Sequence, residues 1–104
     1  MAFTRGTTPS YTFTFSGLDL SSVRDVYITF EQSSSGTEIT KHAPDVDIDP
    51  AENKAGITLT QQDTLKFQKG NVKVQLRAID ENGTAVATAI FSDKVNEVLY
   101  EGVI

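Results

Sequence analysis

Five carboxylate and amide side chains cluster in PDVDIDPAEN, residues 44–53, and oxygen ligands at this spacing suggest a cation site. Asp45, Asp47 and Asp49 alternate with apolar residues, so on a strand they would share one face, about 6.5–7 Å apart. Calcium selects such oxygens, but Pro50 stands where a calcium loop of the EF-hand type has glycine. Two interpretations follow: a calcium site at the three aspartates, or, as we favour, a solvated edge strand whose charges oppose edge-to-edge aggregation.

The residues that could support catalysis are sparse. His42, in KHAPD, is the only histidine, and no serine lies in a G-x-S-x-G context. The glycines match neither a dinucleotide-binding nor a phosphate-binding loop, and the absence of cysteine excludes disulfides and thiolate chemistry. The sequence therefore predicts a protein that is not an enzyme and has no cofactor other than the calcium considered above.

Exposed aromatic and apolar residues suggest protein contacts instead. Tyr27 lies on the opposite side of its strand from Val26 and Ile28, so it should face outward. Tyr100 belongs to an apolar C-terminal stretch that ends in Val103 and Ile104. Tyrosine is frequent at interfaces because its ring is apolar and its hydroxyl is polar. We therefore predict interface residues at Tyr27, Tyr100, Val103 and Ile104. The alternative is that these are ordinary surface residues.

The elements that must position these side chains are mostly strands. Apolar and polar residues alternate with a period of two along most of the chain, the pattern of half-buried strands. The segments with this pattern are YTFTF (11–15), RDVYITFEQ (24–32), TEITK (37–41), DVDID (45–49), ITLT (57–60), VKVQLRA (72–78) and a strand with Val86, Thr88 and Ile90. The last segment, KVNEVLYEGVI, fits a strand or a helical turn equally well.

Two segments depart from this strand pattern and predict a helical turn and a hairpin turn. TQQDTLKF contains the one helical signal: Thr60 could cap a turn over residues 61–67, and Asp63 could reach back to the cap. Leu65 and Phe67 would then plug one end of the core. Asn82-Gly83 predicts a two-residue hairpin turn, in which both residues adopt positive φ.

The fold class predicted is all-β, an antiparallel immunoglobulin-like Greek-key sandwich of about seven or eight strands with one short helical turn. Residues 1–9 would form an N-terminal arm, and residues 10–104 a single domain. A sandwich has open sheet edges to which a partner strand can add. The arm and the apolar EGVI end are therefore candidate clasps between neighbouring subunits, and a homo-oligomer is one expected outcome.

The net charge of the chain limits the classes of partner that it can bind. The formal net charge is −5, from 14 acidic and 9 basic residues, which opposes binding to phosphate backbones. MAFTRGTTPSY lacks the apolar run of a secretory signal, and no apolar stretch approaches the roughly 18 residues of a membrane span. We expect no nucleic acid partner, no membrane insertion, and cytoplasmic synthesis without a signal peptide.

A resemblance accompanies these patterns. TPSYTF (8–13), YITFEQ (27–32), ITLTQQDTLKFQKGNVKVQLRAIDENGTAVAT (57–88) and VLYEGVI (98–104) resemble small proteins encoded by phages and prophage-like clusters of Gram-positive bacteria. The similarity covers most of residues 8–104. Less closely, the chain resembles the N-terminal immunoglobulin-like modules of phage baseplate proteins.

The resemblance implies a structural or assembly module associated with a virion, a tail or a baseplate. Its partners would be copies of itself or other phage structural proteins, and it brings no catalytic residue that maps onto this chain. The alternative function is a ligand-binding β-sandwich, a carbohydrate-binding or adhesive module assisted by calcium. The absence of tryptophan removes the usual aromatic platform for sugars and counts against that alternative.

Overall fold

Strands packed as two sheets make up most of the structure, a computed structural model that describes residues 2–104. The two short helical elements are a 3₁₀ turn (Leu20–Ser22) and the helix α1 (Gln61–Leu65). The strands in the described chain are β1 (Ala2–Thr4), β2 (Ser10–Thr14), β3 (Val23–Gln32), β4 (Thr37–Lys41), β5 (Asp47–Asp49), β6 (Lys54–Thr58), β7 (Gly70–Asp80), β8 (Ala85–Ala87) and β9 (Phe91–Asn96). The predicted all-β sandwich is confirmed.

The strand order is that of an immunoglobulin-type Greek key. The larger sheet runs β1-β9-β7-β3-β4, with β8 also paired to β7, and the smaller sheet runs β2-β6-β5. In an immunoglobulin domain the second, fifth and fourth strands face a sheet whose centre is formed by the third, sixth and seventh. Here β2, β6 and β5 face β3, β7 and β9, so the same order recurs.

The core lies between the sheets and follows the predicted alternation. Successive inward residues of β3 and β7 are almost fully buried, because a period of two places them all on one face. Tyr11 packs edge-on against Phe30 with ring centroids 5.3 Å apart. The buried apolar residues are Phe3, Tyr11, Leu20, Val26, Ile28, Phe30, Ile39, Val46, Ala55, Ile57, Leu59, Phe67, Val72, Val74, Leu76, Ala78 and Val95.

Helix α1 closes one end of this core through a capping box. The Thr60 hydroxyl accepts a hydrogen bond from the Asp63 N–H at 3.1 Å, and the Asp63 carboxylate accepts one from the Thr60 N–H at 2.9 Å. Phe67 is fully buried, as predicted. Leu65 is not: it is only half-buried against Gly6, and Thr64 takes the buried position instead, donating to the Thr7 carbonyl.

The hairpin loop after β7 differs from the two-residue turn predicted at Asn82-Gly83. The Asp80 N–H donates to the Thr84 carbonyl at 3.0 Å, which leaves residues 81–83 as a three-residue loop. Gly83 alone has positive φ, at 84°. The Asp80 carboxylate selects this geometry because it accepts hydrogen bonds from the N–H groups of Asn82 and Thr84.

The strand after this loop is also interrupted. β8 pairs with β7 through Arg77↔Ala87, whereas β9 resumes at Val74↔Phe91, so one extra residue lies between the two registers. This bulge turns Ile90 to the outer face, where it is 59% exposed, and places Asp93 and Val95 on the buried face of β9. The prediction that Ile90 shares a strand face with Val86 is therefore wrong, since a one-residue slip reverses every later side chain.

The N-terminal segment is part of the larger sheet. β1 pairs in parallel with β9, and Phe3 is buried in the core. Residues 2–4 of the predicted arm (1–9) are therefore a strand of this sheet, while residue 1 lies outside the described residues. The sequence pattern missed β1 because three residues are too few to show alternation.

Candidate interaction surfaces

The C-terminal segment carries the most exposed apolar side chains of the described chain. Leu99 is fully exposed, and Tyr100, Val103 and Ile104 are 68%, 52% and 93% exposed. Such a group of apolar side chains is typical of an interaction site rather than of scattered surface residues. These exposures are what the interface prediction for Tyr100, Val103 and Ile104 requires.

Arg5 holds this segment in place. Its Nη1 binds the Glu97 carboxylate and, at 2.7 Å, the Glu101 carboxylate, while its Nη2 donates to the Leu65 carbonyl at 3.1 Å. Residues 97–101, here called the Leu99 loop, are thus fastened at both ends to one guanidinium. Leu99 lies at the apex, midway between the two anchored residues, and is exposed to solvent.

The electrostatics of this clamp favour the charged pairs. The hydrogen bonds that Arg5 donates to Glu101 and then to Glu97 raise the pKa of Arg5 above its ordinary value, outweighing the burial of the guanidinium. The Val98 N–H, followed by Arg5, holds the pKa of Glu97 below its usual range. The loop therefore has an apolar tip and two carboxylates that share one positive charge.

A second apolar surface lies at the other end of β7. Phe15, Leu18, Leu76, Ala78 and Val86, here called the apolar groove, line an open cavity of about 270 Å³ between the sheets. Phe15 and Leu18 are half-buried, and Val86 is exposed. In the described chain β2 pairs with β6 alone and β8 with β7 alone, so each of these strands has one unpaired edge.

Asn53 builds one wall of the groove. Its side-chain amide donates to the carbonyls of Phe15 and Leu18, at 2.6 and 2.7 Å, and its amide oxygen accepts from the Leu20 N–H at 2.9 Å. Asn53 itself has positive φ, at 56°, a conformation that asparagine tolerates better than most residues. This turn also explains why β6 starts at Lys54, earlier than the predicted strand at residue 57.

Tyr27 is exposed on a different surface, the outer face of the larger sheet. It is 39% exposed and lies parallel to the His42 imidazole, with ring centroids 4.5 Å apart. The His42 Nδ1 is 3.1 Å from Asp25. Burial alone would raise the pKa of Asp25, but hydrogen bonds from the Ala43 N–H, His42 and the Val26 N–H lower it below its usual range. One face of the Tyr27 ring is therefore packed against the His42 imidazole.

A cavity of about 360 Å³ opens beside Tyr27. Arg24, Arg77 and Asp25 supply its polar lining, and Ile79 supplies part of its apolar wall. Arg24 is the bulged residue of β3, between the pairs Val23↔Asp80 and Asp25↔Ile79. Bulges re-aim side chains, which brings a second guanidinium to this cavity in addition to that of Arg77.

The acidic segment does not form a compact ligand set. Asp47 and Asp49 lie on the exposed face of β5, while Asp45 lies in the preceding turn and donates its N–H to the His42 carbonyl. Within residues 2–104 no three acidic or histidine side chains approach closely enough to bind one metal ion. The amide oxygen of Asn53 is also occupied by the Leu20 N–H. Calcium binding at Asp45, Asp47 and Asp49 stays a prediction.

The structure separates the four predicted interface residues into two surfaces. Tyr100, Val103 and Ile104 lie beside α1, where Gln61 forms two hydrogen bonds with the Ile104 backbone, whereas Tyr27 pairs with Arg77 near the far end of β7. Sequence reasoning missed Arg5, Leu99 and the groove. The Arg5–Glu97 contact spans 92 residues, and no local pattern reports such a pairing.

Comparisons with known proteins support the fold and leave the family open. No family model matches the chain, and no curated relative matches it. Among the described residues, no helix has the length and apolar character that crossing a membrane requires.

Solved structures with the same fold exist at very low sequence identity. CopC from Methylosinus trichosporium OB3b is 14% identical, with a TM-score of 0.57, over 93% of this chain and 87% of CopC. A candidate glycoside hydrolase from Bacteroides vulgatus is 10% identical, with a TM-score of 0.56, over 93% of this chain. The chain spans only 16% of the length of that protein. These likenesses show the β-sandwich fold alone, and a shared fold does not imply a shared function.

Proposed function

We propose that this chain is a non-catalytic, phage-derived structural or assembly module of a virion, tail or baseplate that acts through protein–protein contacts. The observation that carries the proposal is the Leu99 loop, an ordered loop that presents apolar side chains to solvent. Loops that are fastened at both ends lose little conformational entropy on binding, so their contacts are not offset by an ordering cost. The phage origin rests on the resemblance of residues 8–104.

Additional support comes from the chemistry of the loop. Leucine and tyrosine at the apex supply apolar area, while Arg5 pairs with both flanking carboxylates, Glu97 and Glu101, and leaves one net negative charge among the three groups. A partner that covers the apex would therefore meet one uncompensated negative charge instead of two. Burying an unpaired charge is the main electrostatic cost of forming an interface, and the clamp reduces it.

The test is co-sedimentation with particles. A strain that encodes the chain would be induced, and its particles separated on a density gradient and probed for the chain. We expect the parent chain in the particle fraction, and a variant with Leu99→Ser and Tyr100→Ser depleted from it. A matched control is Ile90→Ser, which alters an exposed apolar residue on another face. Particles that form normally without any of the parent chain would contradict the virion association.

A second candidate function is a ligand-binding module, and the cavity beside Tyr27 favours it. Its volume of about 360 Å³ falls within the range of about 300–1,000 Å³ typical of small-molecule sites. An aromatic ring supported by His42, next to two guanidinium groups, suits a saccharide that carries a carboxylate.

Titration calorimetry with glucuronate and with glucose distinguishes this candidate. Binding of glucuronate that is lost in Tyr27→Ala and in Arg77→Gln, but retained in Lys73→Gln on the same strand face, would support it. Equal or absent binding of both sugars would reject it. Repeating the titration with calcium tests the calcium-assisted form of this function.

A further inference from the structure

The Leu99 loop and the apolar groove have complementary chemistry. The loop offers leucine and tyrosine side chains, and the groove is an uncovered cavity with apolar walls from Phe15, Leu18 and Val86. At about 270 Å³, the groove is below the range of about 300–1,000 Å³ for drug-sized ligands, a size suited to one or two side chains. Ser16 lies among its lining residues and supplies a hydroxyl that suits the phenol of a tyrosine, whereas the Thr88 hydroxyl already accepts from the Leu76 N–H and donates to the Ala89 carbonyl.

The loop cannot reach the groove of its own chain. Val95, just before the loop, pairs with Gly70 at the start of β7, whereas Val86 in the groove pairs with Ala78. Eight strand residues separate these two levels, about 26 Å at the usual rise of about 3.3 Å per residue. Arg5 holds both ends of the five-residue loop, so the loop cannot cross that distance. Any Leu99 loop in the groove must come from another molecule.

We propose that the Leu99 loop of one copy inserts into the apolar groove of the next copy, so that copies join head to tail. This inference rests on the proposed function and identifies a second copy of the chain as the partner. The two contacting surfaces are different parts of the molecule, so in a pair of copies one copy keeps a free groove and the other keeps a free loop. Such heterologous contacts produce rings when the rotation closes and filaments when it does not.

Two kinds of single variant separate the two surfaces. Leu99→Asp places a charge on the loop apex, and Val86→Lys places one in the groove wall. Because both residues are exposed, neither change should prevent folding, and thermal unfolding would verify this. Ser16→Arg is a second groove variant, which fills the opening from an exposed position without altering the core.

Sedimentation velocity and light scattering would follow mass from about 1 μM to about 1 mM, which covers binding free energies of about −8 to −4 kcal/mol. The parent chain should grow beyond its monomer mass of 11.3 kDa as its concentration rises. Each single variant should weaken the association at least about 30-fold, the loss expected for a central apolar contact. Ile90→Asp, exposed on the outer face, is the matched control and should associate like the parent.

Mixing the two defective variants is the decisive measurement. Leu99→Asp retains an intact groove, and Val86→Lys or Ser16→Arg retains an intact loop. A one-to-one mixture should therefore form a heterodimer of twice the monomer mass that grows no further. A parent that self-associates while the mixture stays monomeric would overturn the head-to-tail pairing, because an interface elsewhere would then be responsible.

A parent that stays monomeric throughout would also overturn this inference. That result would leave the proposed function standing if the particle experiment still finds the chain in the particle fraction, since the loop would then bind a different phage protein. Self-association with no particle association would have the opposite meaning: the head-to-tail contact would hold, and the virion role would fail.

Discussion

Several single residues in this protein connect segments that are distant in sequence. Arg5 joins β1 to the Leu99 loop, and Asn53 fastens the groove wall through three hydrogen bonds. Tyr11 reaches across the two sheets to Asp93, with its hydroxyl donating to a carboxylate oxygen at 2.6 Å. Each contact satisfies a polar group that would otherwise be costly to bury.

The Tyr11 contact leads to a stability prediction. Burial, and then the Asp93 carboxylate, raise the pKa of the Tyr11 hydroxyl, which remains a proton donor. Tyr11→Phe should lower the free energy of unfolding by about 1–3 kcal/mol, because a buried charge-assisted hydrogen bond is lost. Tyr27→Phe, in which the ring is half-exposed, is the matched control and should change it little. Urea unfolding of both variants checks this, and equal losses would contradict it.

At the scale of elements, the sequence correctly predicted the features that depend on contacts between residues close in sequence. The capping box at Thr60 and Asp63 formed as predicted because its partners are three residues apart. The hairpin turn was predicted at the right place but with the wrong geometry, since the Asp80 side chain selects a three-residue loop. The bulge between β8 and β9 was not predicted, because it depends on pairing with β7. For that reason Ile90 was predicted on the wrong face of its strand.

The hairpin loop supports a second prediction. Gly83 has φ of 84° and open space around it, so the backbone conformation alone decides the cost of adding a side chain. Gly83→Ala should destabilise the protein by about 1–2 kcal/mol, the penalty of a left-handed residue with a Cβ.

Gly56→Ala is the control for that change. Gly56 lies in β6 with ordinary φ, and a Cβ there would meet the Tyr11 carbonyl oxygen at 3.5 Å, a normal contact. Because alanine costs less entropy than glycine in a strand, this variant should be neutral or slightly stabilising. Thermal unfolding measured by circular dichroism compares the two variants, and a neutral Gly83→Ala would show that the loop adopts another turn.

At the scale of the whole molecule, the two ends of the sandwich differ, because the two apolar surfaces lie at opposite ends of β7. The molecule measures 45 Å along its longest axis and 20 Å along its shortest, and the Leu99 loop and apolar groove are separated along the central strand. This polarity is a property of the assembled sheets, because residues 97–101 and the groove residues are brought to their positions by strands distant in sequence.

Acid should destabilise the whole molecule. The pKa values of Asp25, Asp63 and Glu97 are lowered by their hydrogen bonds and ion pairs; for the two aspartates these outweigh the opposing effect of burial. Unfolded carboxylates titrate near about 3.9 for aspartate and about 4.3 for glutamate. The stabilisation is therefore complete above those values and is lost as the pH falls through the lower folded pKa values, because the unfolded state then binds more protons.

The melting temperature measured between neutral pH and strongly acidic pH checks this. The parent should lose stability steeply in acid, and Asp63→Asn should start lower at neutral pH and lose less, so that the two curves converge. Glu38→Gln, an exposed change on β4, should follow the parent curve. Parallel curves for the parent and Asp63→Asn would show that this carboxylate does not contribute to the acid response.

The sequence by itself determined the period-two alternation, the capped turn at Thr60 and most of the buried residues, and these suffice for an all-β sandwich. Such features depend on neighbours a few residues apart, which a linear pattern records. Only the tertiary structure decided the bulge that reverses Ile90, the clamp of Arg5 on Glu97 and Glu101, and the uncovered groove. Those features arise where strands distant in sequence meet, and the pairing and register of distant strands are set by packing between the sheets rather than by local propensity.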